Sequence, residues 1–224
     1  MIDLDLPAFY PVLDTALWAR LGIPVQNAAE AILEGGARIL QLRHKGHFSR
    51  QVLSDGQRIA DLCRAAGATF VINDRADIAA LLNAALHLGQ DDLWPSEARK
   101  VLPPVSLVGF STHNEAQLRS ADEQPADYLA IGPIFATVSK DNPDPVVGVN
   151  ELRRLRAITT KLLVAIGGIT RATAKDVMRS GADSIAVIGD LVPDEHSTRA
   201  LRARTEEWLE LLKNYNPAWS RAWG

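Results

Sequence analysis

Residues 137–140 read Thr-Val-Ser-Lys, two small hydroxyls and an ammonium group within four positions. Hydroxyls donate hydrogen bonds and lysine brings opposite charge, a combination that suits a phosphate at close range. A second cationic group stands in Gln41-Leu42-Arg43-His44-Lys45, where Gln41, Arg43 and Lys45 alternate by two and share one face of an extended chain. Asn73-Asp74 and Asp91-Asp92 add carboxylates, and Ser111 and His113 add a hydroxyl and an imidazole. Asp74 and Asp92 together suit a hard divalent cation such as Mg2+, which takes one or two carboxylates and completes its shell with water and substrate phosphate. Three cations beside such a metal, Arg43, Lys45 and Lys140, point to a pyrophosphate rather than a single phosphate. Gly167-Gly168 and Ile188-Gly189 offer backbone N–H groups to a second phosphate. Two anionic ligands in one pocket imply transfer between them.

Such a pocket exists only if the fold gathers residues that lie far apart in the chain. Short apolar runs rich in branched residues occur at 10–15, 38–43, 69–74, 85–89, 106–111, 127–132, 161–168 and 183–189, and they read as buried strands. Amphipathic stretches lie between them, such as 25–36, 50–67 and 172–182, each closed near its end by glycine in the manner of a helix C-terminus. Eight strands alternating with roughly eight helices in 224 residues predict one closed (β/α)8 TIM barrel over residues 1–224, with about 214–224 as a C-terminal tail. A doubly wound open sheet is the rival arrangement. In a barrel, active sites lie at the C-terminal ends of the strands, and that is where the polar residues fall. Thr170, after strand seven, is the expected N-cap of the helix that follows.

Composition narrows the partners. With 47% hydrophobic and 23% charged residues the chain can bury a sizeable core. A net charge of −3 and the lack of a basic tract argue against nucleic acid, whose binding draws on many Lys and Arg contacts. No apolar run approaches the length of a membrane span, the N-terminus lacks the pattern of a signal peptide, and the single Cys63 allows no internal disulfide. A cytoplasmic protein acting on small phosphorylated molecules is expected, with no membrane partner; a homo-oligomer stays open.

Each motif has a plainer reading by itself. Gln41 and Arg43 could line a polar barrel mouth, Asn73-Asp74 could be a turn, and Asp91-Asp92 could open a helix. Gly167 and Gly168 could serve packing alone, His44, His47 and His196 read as solvated, and Arg153, Arg154 and Arg156 as the wet face of a helix. The joint arrangement at successive strand ends is what these readings leave unexplained.

The segments QLRHK, INDR, HLGQDD, STH, GPIFATVSK, VAIGGI and GADSIAVIG, in this order over residues 38–190, resemble the thiamine phosphate synthase family. The resemblance implies a (β/α)8 barrel that joins a hydroxymethylpyrimidine diphosphate to a hydroxyethylthiazole phosphate, releasing pyrophosphate. It implies that Gln41, Leu42, Arg43, His44, Lys45, Asn73, Ser111 and Lys140 hold the pyrimidine diphosphate, with Arg43, Lys45 and Lys140 acting on the leaving group. Thr137, Val138, Ser139, Gly168, Ile188 and Gly189 would hold the thiazole phosphate, and Asp74 and Asp92 would bind Mg2+. The implied mechanism is dissociative and uses no protein nucleophile, which leaves Cys63 as ordinary core.

Three departures accompany the resemblance. Leu81-Leu82-Asn83-Ala84-Ala85-Leu86 replaces a glycine-containing strand entrance, Ser139 replaces a usual threonine, and Gly189 stands where serine is usual. With Asp190 directly after it, Gly189 is expected to be needed as glycine, through a positive φ or a phosphate drawn inward, so that serine there would weaken binding. Two other classes fit less of the pattern: a thiazole tautomerase-like isomerase using His113 for proton transfer, and a non-catalytic thiamine-phosphate-binding module.

Overall fold

The computed structural model describes residues 6–137 and 144–215. Eight parallel strands, β1 (Phe9–Asp14), β2 (Ile39–Arg43), β3 (Thr69–Asn73), β4 (Ala85–Leu88), β5 (Val108–Thr112), β6 (Tyr128–Ile131), β7 (Leu162–Ile166) and β8 (Ser184–Val187), pair in chain order, and β8 closes on β1. The expected barrel therefore forms, and the open sheet is excluded. Helices α1 (Thr15–Arg20) and α2 (Val25–Glu34) lead from β1 to β2. Each later strand is followed by one helix: α3 (Arg50–Ala65), α4 (Ala76–Leu81), α5 (Pro95–Ala98), α6 (Glu115–Asp122), α7 (Gly148–Leu155), α8 (Ala174–Arg179) and α9 (Thr198–Leu212). The expected tail overlaps a short 3-10 turn at Lys213–Tyr215 that prolongs α9; residues 216–224, with Trp219 and Trp223, lie outside the described residues.

Strand alternation sorts side chains into two cores. Leu40, Leu42, Ile72, Leu86, Phe110, Leu129 and Leu163 face outward and pack under the helices. Tyr10, Val12, Ile39, Val71, Tyr128, Val164 and Ala186 face inward and fill the barrel, with Leu6 among them. The inward set is almost all apolar, yet two phenols sit inside it. Room for Tyr128 comes from Gly109 on β5: a Cβ there would collide with its ring. A strand glycine of this kind marks a close approach, because a side chain has no space to occupy.

The helix ends follow the sequence pattern. Gly36, Gly67 and Gly181 have φ of 103°, 63° and 102°, the left-handed geometry that ends a helix and that glycine adopts without Cβ strain. The strand entrance lacking a glycine, before β4, is made instead by Asn83 with φ 49°, a conformation Asn tolerates. It lies at the end of the barrel opposite the mouth. The cap of α8 differs from expectation. Its N-cap is Thr173 rather than Thr170, because residues 170–173 close a turn of their own, Thr173 N–H donating to Thr170 O (3.0 Å) and Thr170 N–H to Thr173 Oγ1 (3.0 Å).

Candidate active site

At the C-terminal mouth the last inward positions of β1 to β5 are polar: Asp14, Arg43, Asn73, His87 and Ser111. Asp14 ends β1 and lies in register with Arg43, which ends β2. Their side chains form an ion pair, and the Asp14 carboxylate also accepts from Leu17 N–H (3.0 Å), capping α1. Arg43 is thus aimed by a carboxylate that the motif reading passed over; its place beside the arginine follows only from strand register. Lys45 lies beyond the end of β2, and its Nζ reaches Asp74 Oδ2 at 2.6 Å while the lysine stays about half exposed.

Alternation splits the QLRHK segment. Gln41 and Arg43 share the inward face, whereas Leu42 is buried under the helices. The His44 side chain turns to Thr15 Oγ1 (2.8 Å) and to His47 O (3.1 Å), and its ring meets Phe48 edge-on. The side chains of Leu42 and His44 therefore do not reach the mouth as the resemblance implies, because strand alternation points Leu42 under the helices and the His44 ring is held by Thr15 and His47. His44 is also not the freely solvated ring expected of it.

Asp74 follows β3 with φ 67°, and its backbone N–H donates to His87 O (2.8 Å). A left-handed Asp costs conformational energy, and such residues gather at functional sites. Asp92 sits in the turn after β4, its Oδ2 accepting from Gly89 N–H (2.7 Å), so it closes a loop rather than opening a helix. Burial, with the carboxylate of Asp74 alongside, pushes the Asp92 carboxyl up to about 6. Two neighbouring carboxylates are a donor set that a divalent cation would stabilise, and the Lys45 ammonium already lies against one of them. The two aspartates thus fit the expected Mg2+.

Asn73, one step inward, is buried, and its Nδ2 meets no acceptor among the described residues. A buried amide donor without a partner is costly unless a ligand completes it. Below it runs a chain of hydrogen bonds that sequence reasoning missed. Gln41 Nε2 donates to Tyr10 Oη (2.9 Å), Tyr10 Oη meets Tyr128 Oη (2.9 Å), Tyr128 Oη meets His87 Nδ1 (3.0 Å), and His87 Nε2 meets Ser111 Oγ (2.8 Å). An amide N–H can only donate, so one consistent direction runs from Gln41 to Ser111, with His87 protonated on Nε2. The Ser111 hydroxyl proton then remains for a ligand. Burial raises both phenols well above the ordinary tyrosine range, so they stay neutral links. Tyr10 and His87 were legible only through strand phase: Tyr10 precedes Asp14 by four, and His87 follows Ala85 by two on the inward face.

The opposite arc is built from β6, β7 and β8. The connection leaving β6 runs along the end of β7: Ile134 N–H donates to Ile166 O (2.9 Å) and Phe135 N–H to Gly167 O (3.0 Å). Gly167 and Gly168 have φ of 95° and 65°, and a Cβ at Gly168 would strike the backbone of Phe135 and Ala136. That contact is the packing reading of these glycines, and it brings the connection with Thr137 against the end of β7. Val138, Ser139 and Lys140 lie outside the described residues.

Ile188, directly after β8, packs against the inward cluster. Gly189 has no positive φ, and a Cβ there would meet nothing within 4 Å. The expected need for glycine is therefore not conformational. Asp190 turns instead toward the buried indole N–H of Trp208 on α9, and its carboxylate lies 3.6 Å from Arg171 in the turn before α8. Burial holds it above the ordinary carboxylate value, an effect that Arg171 partly offsets. Arg204 donates to both Asp190 O (2.9 Å) and Val192 O (3.0 Å), tying the turn to the helix.

The family model described as "Thiamine monophosphate synthase" matches residues 9–191. The chain belongs to this family. It is 45% identical over 214 residues to the thiamine-phosphate synthase of Koribacter versatilis, across 93% of this chain and 97% of that one. Identity to the thiamine-phosphate synthase of Chloroflexus aurantiacus is 41% over 174 residues, across 77% and 80% of the two chains. Among solved structures, the thiamine phosphate pyrophosphorylase of Pyrococcus furiosus superposes with a TM-score of 0.80 at 29% identity, covering 92% of this chain and 96% of that one. Within the thiamine monophosphate synthase family, the matched span runs from β1 through the turn after β8, so it contains every strand end described above.

Proposed function

We propose that this transferase joins 4-amino-2-methyl-5-(diphosphooxymethyl)pyrimidine to 4-methyl-5-(2-phosphooxyethyl)thiazole, giving thiamine phosphate and pyrophosphate. The observation that carries the site assignment is the contact of Lys45 with Asp74, beside Asp92, at the ends of adjacent strands, facing the glycine-lined arc of β7 and β8. Arg43, Lys45 and Lys140 bind the diphosphate and stabilise the charge that gathers on it as the bond to the pyrimidine methylene breaks. Gln41, Asn73 and Ser111 hold the pyrimidine, Asn73 through its unmatched N–H groups and Ser111 through the hydroxyl proton left by His87. Thr137, Val138, Ser139, Gly168, Ile188 and Gly189 hold the thiazole phosphate so that the ring nitrogen faces the methylene carbon. Pyrophosphate departs with the electron pair, and the thiazole nitrogen supplies the pair that forms the new C–N bond. Alignment of the two substrates removes the cost of a second encounter. Asp74 and Asp92 would hold Mg2+, which would supply further charge neutralisation on the diphosphate.

No helix among the described residues is long and apolar enough to cross a membrane. We place the activity in the cytoplasm and treat the whole chain as one domain. The test is release of pyrophosphate and formation of thiamine phosphate from the two purified substrates, with Mg2+ and with excess chelator. Turnover with Mg2+ and its loss in chelator are expected. A protein that bound both substrates and released no pyrophosphate would be a binding module. A protein that instead isomerised a thiazole carboxylate phosphate would be a tautomerase.

A further inference from the structure

The segment Ser111-Thr112-His113-Asn114 ends β5, and each of its side chains has a separate task. Ser111 points inward to His87 (2.8 Å). Thr112, fully buried, donates to Ala130 O (2.8 Å) and locks the end of β5 to β6. Asn114 caps α6 by accepting from Gln117 N–H (3.0 Å). His113 does none of these things. Its backbone N–H is held by Gln117 Oε1 (2.7 Å), and its ring leaves the strand end sideways toward the connection between β6 and α7. There Nδ1 lies 2.6 Å from Gly132 O, where that connection departs, and Nε2 lies 3.4 Å from Asp144 Oδ2, where it returns. A carbonyl only accepts, so Nδ1 carries its proton and the ring orientation is set.

Backbone bonds close the same neck further along: Val147 N–H donates to Pro133 O (2.8 Å) and Gly148 N–H to Ile134 O (3.1 Å). Among the described residues the His113 side chain spans this neck, touching one residue on each limb, and it is mostly buried. We propose that His113 is a positioning residue, which sets the spacing of the two limbs of the β6–α7 connection and thereby the place of Thr137 in the site. This rests on the synthase reading for its consequence on substrate binding, and on the contacts alone for the clamp. Because the connection serves both ligands in that reading, loss of the clamp weakens both, whereas Thr137→Ala weakens only the thiazole phosphate.

The experiment combines hydrogen exchange on the substrate-free protein with steady-state kinetics for His113→Ala, His113→Asn and Asp144→Asn. Asn carries an amide N–H close to where Nδ1 stood, so it keeps the bond to Gly132 O and gives up the contact with Asp144. Expected for His113→Ala are faster exchange at Val147 and Gly148 and a rise of about tenfold in the KM of both substrates, with a much smaller change in kcat. His113→Asn should recover part of the loss, and Asp144→Asn should resemble it. Unchanged exchange in all three variants overturns the clamp. Faster exchange with both KM values unmoved overturns its role in positioning. A collapse of kcat at unchanged KM also overturns it, since the imidazole would then act on the reacting atoms. If the wild-type protein releases no pyrophosphate, the synthase reading fails, while the exchange rates still decide the clamp.

Discussion

The acidic pair shows how a residue can be costly to the fold and, in the proposed synthase reading, required by the site. In the folded protein Asp92 holds its proton up to about 6, against an ordinary value of 3.8, through burial and the neighbouring Asp74. The native state therefore keeps a proton that the unfolded chain gives up. The stability associated with that proton is present in full below the unfolded value and is lost as pH rises through 6. In metal-free protein Asp92→Asn should accordingly be more stable than wild type by ~1 kcal/mol near pH 8, with little difference near pH 4, because Asp92 is only partly buried and water screens the effect. Turnover should be lost by about a hundredfold or more if the carboxylate holds the metal. Denaturant unfolding in chelator at the two pH values, beside pyrophosphate release, checks both halves. Gly189 is the second residue of interest. With no positive φ and open space around its Cα, Gly189→Ser should fold normally. Its added hydroxyl should tighten the thiazole phosphate by one hydrogen bond to a charged group, at most about 1.5–3 kcal/mol. Titration of thiazole phosphate at saturating pyrimidine diphosphate measures it, and weaker binding by the serine form would mean that the phosphate is drawn inward.

Among the elements, β5 bears the most demanding placement. Gly109 leaves the space that the Tyr128 ring fills, and Tyr128 carries the hydrogen bonds between Tyr10 and His87. A methyl group at 109 has to displace that ring, since the barrel interior is otherwise packed with branched side chains. Gly109→Ala is expected to cost about 1–3 kcal/mol in stability, the usual range for overpacking. It should also raise the KM for the pyrimidine diphosphate, because the chain that leaves Ser111 its free proton is broken. Thermal unfolding and kinetics on the same preparation decide this; normal stability and normal KM would mean that the interior hydroxyls do not order Ser111.

At the scale of the whole molecule, α9 seals the barrel. Trp208 stacks on Phe9 of β1 with ring centroids 5.5 Å apart, and Gly35 at the end of α2 lies so close to Thr205 that a Cβ would meet it at 2.7 Å. The last helix thus packs against the first strand and an early helix, and the barrel should open as one unit. Cys63 reports on this. It is buried on α3, and burial pushes its thiol up to about 12, so almost no thiolate exists at neutral pH. Its labelling by a thiol reagent is expected to follow global unfolding, with the same denaturant dependence as loss of tryptophan fluorescence. Fast labelling in native buffer would show instead that α3 detaches locally.

Local pattern alone determined the architecture and much of the mouth. Runs of branched residues alternating with amphipathic stretches require parallel strands covered by helices, and eight such units close into a barrel. The same pattern put Arg43, Asn73, Asp74, Asp92 and Ser111 at strand ends, because a strand's end can be read from where its apolar run stops. Partners could not be read in this way. The pairing of Asp14 with Arg43 joins residues 29 apart, His87 meets Tyr128 across 41, and Tyr10 meets Tyr128 across 118. Periodicity describes which face a side chain occupies and carries no information on what stands across a closed barrel, which register and curvature decide. The contact of His44 with Thr15, the shift of the α8 cap to Thr173 and the swing of Asp190 toward Trp208 belong to the same class. In each the local residue type permits several partners, and the packed neighbours from distant elements select one.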